Sequence, residues 1–172
     1  MEQETWVLYD ENRKPIGKEV PRYAKLEKHE YAFGVHVWIK SNGKYLIFRR
    51  DKSKKRYPNL FDMIGGGVNG HDSPLYTAIK ETKEESGLDL NPNDLKLVFI
   101  SKVDYEVNGN IYPEHTHVYM AEINDLKISD IQIEVGKNCD PQFLSKEEIL
   151  KLIDDKLFIP IVIYRDKIEE LF

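Results

Sequence analysis

The chain of 172 residues has a single cysteine, Cys139. A lone thiol excludes an internal disulfide framework and fits a reducing compartment. Long apolar runs are missing as well. The longest, around "LFIPIVIY", falls far short of a membrane span, and no apolar stretch follows the first Met as a secretory leader would. These absences together point to a cytoplasmic protein with no membrane partner. Basic excess is the third thing lacking: 25 Lys and Arg stand against 30 Asp and Glu, for a net charge of −5. A general nucleic-acid binder usually shows the opposite balance, so no nucleic-acid partner is expected. Phosphate binding would require a metal ion or a local basic patch. No repeat, low-complexity tract or Pro/Gly/Ser-rich linker divides the sequence, and its length suits one domain, residues 1–172.

What is present reads as mixed strand and helix. "TWVLYD" is a short strand, and "ENRKPIG" a turn into a second one, "KEVPR". "YAFGVHVWIK" alternates, with Phe33, Val35, Val37 and Ile39 on one face and His36 and Trp38 on the other. Asn42-Gly43 supplies the positive-φ residues of a hairpin turn into "YLIFRR". "LFDMI" leads to a glycine loop. "LKLVFISKVDY" and "HTHVYMAEI" read as strands joined through Asn108-Gly109-Asn110, and "PQFLS" as a last strand. An amphipathic helix over Lys146 to Asp154 and a final helix after Pro160 complete an α+β or α/β/α layered domain.

The informative stretch is "GGGVNGHDSPLYTAIKETKEESGL", from Gly65 to Leu88. Ser73 is placed to cap a helix, Pro74 to start it and Gly87 to stop it. Leu75, Ala78, Ile79 and Thr82 form its mostly apolar stripe, and Glu81, Glu84 and Glu85 fall off that stripe, away from the core. Glu81 and Glu85 are one turn apart and Glu84 flanks them, so like charges are crowded. Such crowding is either a solvated helix face or an oxygen-rich site for a hard divalent cation. The preceding glycines let the backbone fold tightly against the helix and offer carbonyls as further ligands.

This segment resembles the Nudix box, G-x5-E-x7-R-E-U-x-E-E-x-G-U, where U is aliphatic. Gly66, Glu81, Glu84, Glu85, Gly87 and Leu88 match it across residues 66–88. Asp72 stands where the family has Glu, Lys80 where it has Arg, and Thr82 where it has an aliphatic residue. "VLYDENRKPIG", "YLIFRRDKSKKRYPNLFD" and "FLSKEEILKL" resemble the branch related to isopentenyl-diphosphate isomerase, whose catalytic cysteine and metal-binding histidine are replaced here by Gly65 and Gly67. Cys139 is too far downstream to substitute for that cysteine.

The resemblance implies a Nudix-type α/β/α sandwich with a mixed sheet, in which the box forms a loop–helix–loop. It implies Mg²⁺-dependent hydrolysis, with Mn²⁺ as substitute metal, of a diphosphate linkage in a nucleoside diphosphate derivative or similar organic pyrophosphate. Glu81, Glu85, Glu84 and Gly66 would hold the metal, Glu84 and Glu114 are the candidate bases, and Arg50 and Lys54 would contact substrate phosphates. The rivals are a non-catalytic sensor of a phosphate ligand on the same fold and an isomerase-like enzyme. A homodimer is compatible with either reading. His29, His36, His71, His115 and His117 read as structural residues, since no third ligand is spaced to join the pair at 115 and 117.

Overall fold

The computed structural model describes residues 4–107, 109–133, 136–160 and 165–172. The chain runs β1 (Thr5–Tyr9), β2 (Pro15–Pro21), β3 (Ala32–Ser41), β4 (Lys44–Arg50), β5 (Phe61–Asp62), β6 (Ile64–Gly67), α1 (Pro74–Ser86), β7 (Lys96–Val107), β8 (Asn110–Glu122), β9 (Asn138–Leu144), α2 (Lys146–Asp154) and α3 (Arg165–Leu171). β1 and β2 make a two-stranded sheet of their own. The other strands form one mixed sheet in the order β5-β4-β3-β8-β7, with β6 paired to β3 and β9 to β4.

The alternation of β3 explains the layers. Val35, Val37 and Ile39 face a core shared with Ala78 of α1, whereas Trp38 faces one shared with Ile149 and Ile153 of α2 and Ile168 of α3. A sheet buried on both faces is the expected result when each strand face is apolar. The sandwich read from the sequence is therefore the fold. Asn42 and Gly43, at φ 48° and 76°, make the predicted hairpin turn. Asn108 of the other predicted loop lies outside the described residues, as do residues 161–164 after Pro160.

Three expectations need correction. The strand after the first turn begins at Pro15, not at "KEVPR", and β8 begins at Asn110, before "HTHVYMAEI". Gly65, Gly66 and Gly67 are not a loop: they belong to β6 and pair with His36, Val35 and Gly34 of β3. None of the three has positive φ. What each residue there lacks is a side chain, and the space is used by its neighbours.

Candidate active site

The box helix is built as its sequence dictates. Ser73 Oγ accepts the Tyr76 amide at 3.1 Å, and Gly87, at φ 75°, returns its N–H to the Lys83 carbonyl. Thr82, in the aliphatic slot of the box, is fully buried and donates its hydroxyl to the Ala78 carbonyl at 2.7 Å. That bond removes the cost of burying the hydroxyl.

α1 packs on β6 and β3, and this docking buries one of the three glutamates. Glu85 is only 9% exposed, contrary to its expected place off the core. Its carboxylate accepts the Gly65 N–H, yet burial, aided by repulsion from Asp62 and Glu81, pushes its pKa up to about 8. Burial likewise raises Glu81, with Glu84 adding repulsion and Lys137, Lys80 and Arg22 pulling the other way. The Glu81 carboxyl occupies the space that a side chain on Gly66 would need: an ideal Cβ there would lie 2.5 Å from Glu81 Oε1. Glu84 is exposed and turns to Lys137 Nζ at 3.5 Å and Lys80 Nζ at 4.0 Å.

A second group of acids comes from the sheet. Glu114, on β8, lays its carboxyl over Gly34 of β3, where an ideal Cβ would stand 2.0 Å from Oε1. Thr116 Oγ1 donates to Glu114 Oε1 at 2.7 Å. Burial raises the Glu114 pKa to about 7, opposed by that bond and by the charges of Arg56 and Arg22. Asp62, on β5, is buried and titrates at about 6, raised by burial and held back by Arg50. Arg50 Nη1 meets Asp62 Oδ2 at 2.7 Å and its Nε donates to the Arg56 carbonyl at 3.0 Å.

These five acids and Arg50 surround one cleft of about 470 Å³, which Gly66 and Lys54 also line. Its floor holds His36, whose Nε2 is 2.8 Å from Tyr105 Oη and whose pKa is lowered to about 4 by burial. On another wall stand Trp6 and Arg22, carried by and just after the β1–β2 hairpin. That hairpin is tied down by Thr5 N to Asn69 Oδ1 at 2.9 Å and Gly70 N to the Thr5 carbonyl at 2.9 Å. The structure therefore brings together every site residue expected from the sequence. It adds Asp62, Tyr105, Arg22, Arg56 and Lys137, which the sequence reading did not select. One signal could have found the Glu114 seat: Gly34 interrupts an otherwise bulky strand, which marks close approach by another group. His115 Nε2 is 2.9 Å from the Asp10 carbonyl, and the rings of His115 and His117 pack edge-on to Phe33.

Among the described residues, no group of three or more acids, histidines or cysteines is placed to hold a metal ion by itself. A hard divalent cation that keeps several waters takes only one or two carboxylates, with substrate phosphates completing its shell. Glu81 and Glu85, oxygen-only donors crowded and desolvated on one helix face, fit such an ion.

The fold and this acid-lined cleft define a class. The NUDIX domain model matches residues 28–160, and the chain belongs to the Nudix hydrolase family. It is 30% identical over 160 residues to an uncharacterized Nudix hydrolase of Listeria monocytogenes, covering 91% of this chain and 89% of the relative. A counterpart in Clostridium acetobutylicum is 29% identical over 164 residues, covering 91% and 77%. A solved structure from Deinococcus radiodurans superposes with a TM-score of 0.73 at 16% identity, over 98% of this chain and 99% of that one. The NUDIX domain of Shewanella oneidensis NrtR, solved with ADP-ribose, gives a TM-score of 0.60 at 14% identity, over 90% and 92%. The last two show the fold alone. Enzymes of this family act on small molecules and generally use divalent cations. No helix among the described residues is long and apolar enough to cross a membrane.

Proposed function

We propose that this hydrolase cleaves the diphosphate linkage of a nucleoside diphosphate derivative or a similar organic pyrophosphate, with Mg²⁺ as its metal. The observation that carries the reading is the pair Glu81 and Glu85, one half-buried and one buried acid a turn apart on a cleft that also presents lysine and arginine. Glu81 and Glu85 would hold the ion, with the Gly66 carbonyl and Glu84 at its edge. When bound, it neutralises phosphate charge and acidifies a water. ADP-ribose, the ligand of the Shewanella domain, is a diphosphate joining two larger groups, which is the substrate architecture proposed.

The proton is handled by Glu114. Thr116 occupies its Oε1, so Oε2 is the atom that accepts a proton from the attacking water. Its pKa of about 7 suits a base working near neutrality. Glu84, drawn outward to Lys80 and Lys137, is the poorer base. Arg50 is committed to Asp62 and braces β4 against β5, while Lys54 remains on the cleft as a phosphate contact.

Glu114→Gln is expected to lower kcat by about 10²–10⁴-fold with KM little changed. The assay is product release from a panel of nucleoside diphosphate derivatives with and without Mg²⁺. A parent that binds such compounds without ever releasing product would favour the sensor reading instead.

The isomerase reading meets a steric objection. A Cβ at position 65 would lie 2.9 Å from the Val35 carbonyl oxygen and 3.0 Å from His36 Cδ2, and the carbonyl cannot yield without moving β3. Gly65→Cys is therefore expected to cost about 1–3 kcal/mol of stability in a denaturant melt and to gain no isomerase activity. Dimethylallyl diphosphate formed by the parent from isopentenyl diphosphate, above a metal-free control, would overturn the hydrolase assignment.

A further inference from the structure

We infer that Arg56, together with Arg22, grips the oxyanions of the substrate's diphosphate. This rests on the diphosphate reading above and names the side chains that hold that group.

Arg50 shows what a satisfied arginine looks like in this cleft, with a carboxylate and a carbonyl as acceptors. Arg56 is different. Its guanidinium lies over the rings of Tyr105, at 5.0 Å, and Tyr57, at 5.6 Å. Its Nε is buried without a hydrogen-bond partner, and no salt bridge holds it among the described residues. Ring faces fix the plane of a guanidinium but leave its N–H edge unsatisfied. Buried donors without acceptors are rare in native folds and call for a reason. Here the nearby negative group is Glu114, which feels the charge of both Arg56 and Arg22.

Arg22 repeats the pattern. It lies 5.2 Å over Tyr23, and its Nε is likewise buried and unpartnered. Its Nη1 is anchored on Glu4, while Nη2 is 3.5 Å from where a Gly67 side chain would begin. Two oriented forks with unfilled donors, on one cleft with the proposed metal acids, are what a diphosphate needs for bidentate capture. Arg22 precedes the residues matched by the family model, 28–160, so part of this grip is supplied by the N-terminal hairpin region.

The test is calorimetric titration with methylenediphosphonate, a diphosphate that cannot be hydrolysed, in EDTA and in Mg²⁺. Arg56→Gln and Arg22→Gln should each weaken binding by about tenfold or more in both conditions. Arg56→Lys, which keeps the charge and loses the fork, should fall between, and it serves if the glutamine variant melts early. Glu85→Gln should weaken only the Mg²⁺ titration. Arginine effects with an intact Mg²⁺ titration in Glu85→Gln would support the grip and count against the metal assignment. Parent-like binding by both arginine variants, or no binding by the parent in either condition, would overturn the inference.

Discussion

Glu85→Gln is expected to abolish metal-dependent turnover while the metal-free protein stays folded and becomes more stable at alkaline pH. The first half follows from removing a charged oxygen donor from the proposed ion site, a change expected to cost more than about 100-fold in activity. The second half follows from linkage. The folded carboxyl titrates at about 8 against an ordinary 4.5, so the folded protein binds this proton more tightly than the unfolded chain. Its stabilising contribution is complete below pH 4.5 and is lost as pH rises through about 8. At about 1.4 kcal/mol per unit, the loss amounts to a few kcal/mol. Metal-free parent should therefore melt lower near pH 9 than near pH 6.5, and the variant should lose most of that slope. Asp62 and Glu114, at about 6 and about 7, leave a shallower slope of the same sign. His36, at about 4, titrates below this window. Full activity in a folded glutamine variant would remove the metal assignment.

Gly66→Ala should separate fold from site. The new methyl would stand 2.5 Å from the Glu81 carboxyl, a contact no real Cβ makes. The obstacle is the free end of a side chain, so the carboxyl swings aside and β6 stays paired. Stability should change by no more than about 1 kcal/mol, whereas turnover should fall by about 10- to 100-fold as Glu81 leaves its place beside Glu85. Thermal melts and steady-state kinetics on the same preparation check both halves. A variant as active as the parent would mean that the Glu81 position does not matter to the reaction.

The box helix was legible because its signals are local. Ser73, Pro74 and Gly87 act within a turn of their own positions, and the β3 alternation predicted two buried faces without reference to any partner. Glu85 was misplaced because its burial depends on where α1 docks. Helical periodicity put it off the apolar stripe, and only the packing of α1 on β6 shows that this flank is covered too. Asp62 was invisible for a related reason: an acid in a two-residue strand acquires meaning only beside Arg50 and the far helix. Arg22 and Arg56 look like ordinary soluble cations in the sequence. Their missing acceptors are a property of the assembled cleft.

The pairing of β3 has a kinetic consequence. Gly34 meets Gly67 on one side and Thr116 on the other, with Ala32 set against Glu114. The partner strands are distant in sequence, and one of them runs parallel. Long loops must close before these contacts return any energy, which places such topologies among slower folders, in about milliseconds to seconds. During synthesis, the box helix can form as soon as it leaves the ribosome, but the seat for Glu114 on Gly34 waits for all of β8. On the proposed roles, a nascent chain halted before β8 would hold the metal acids without the base.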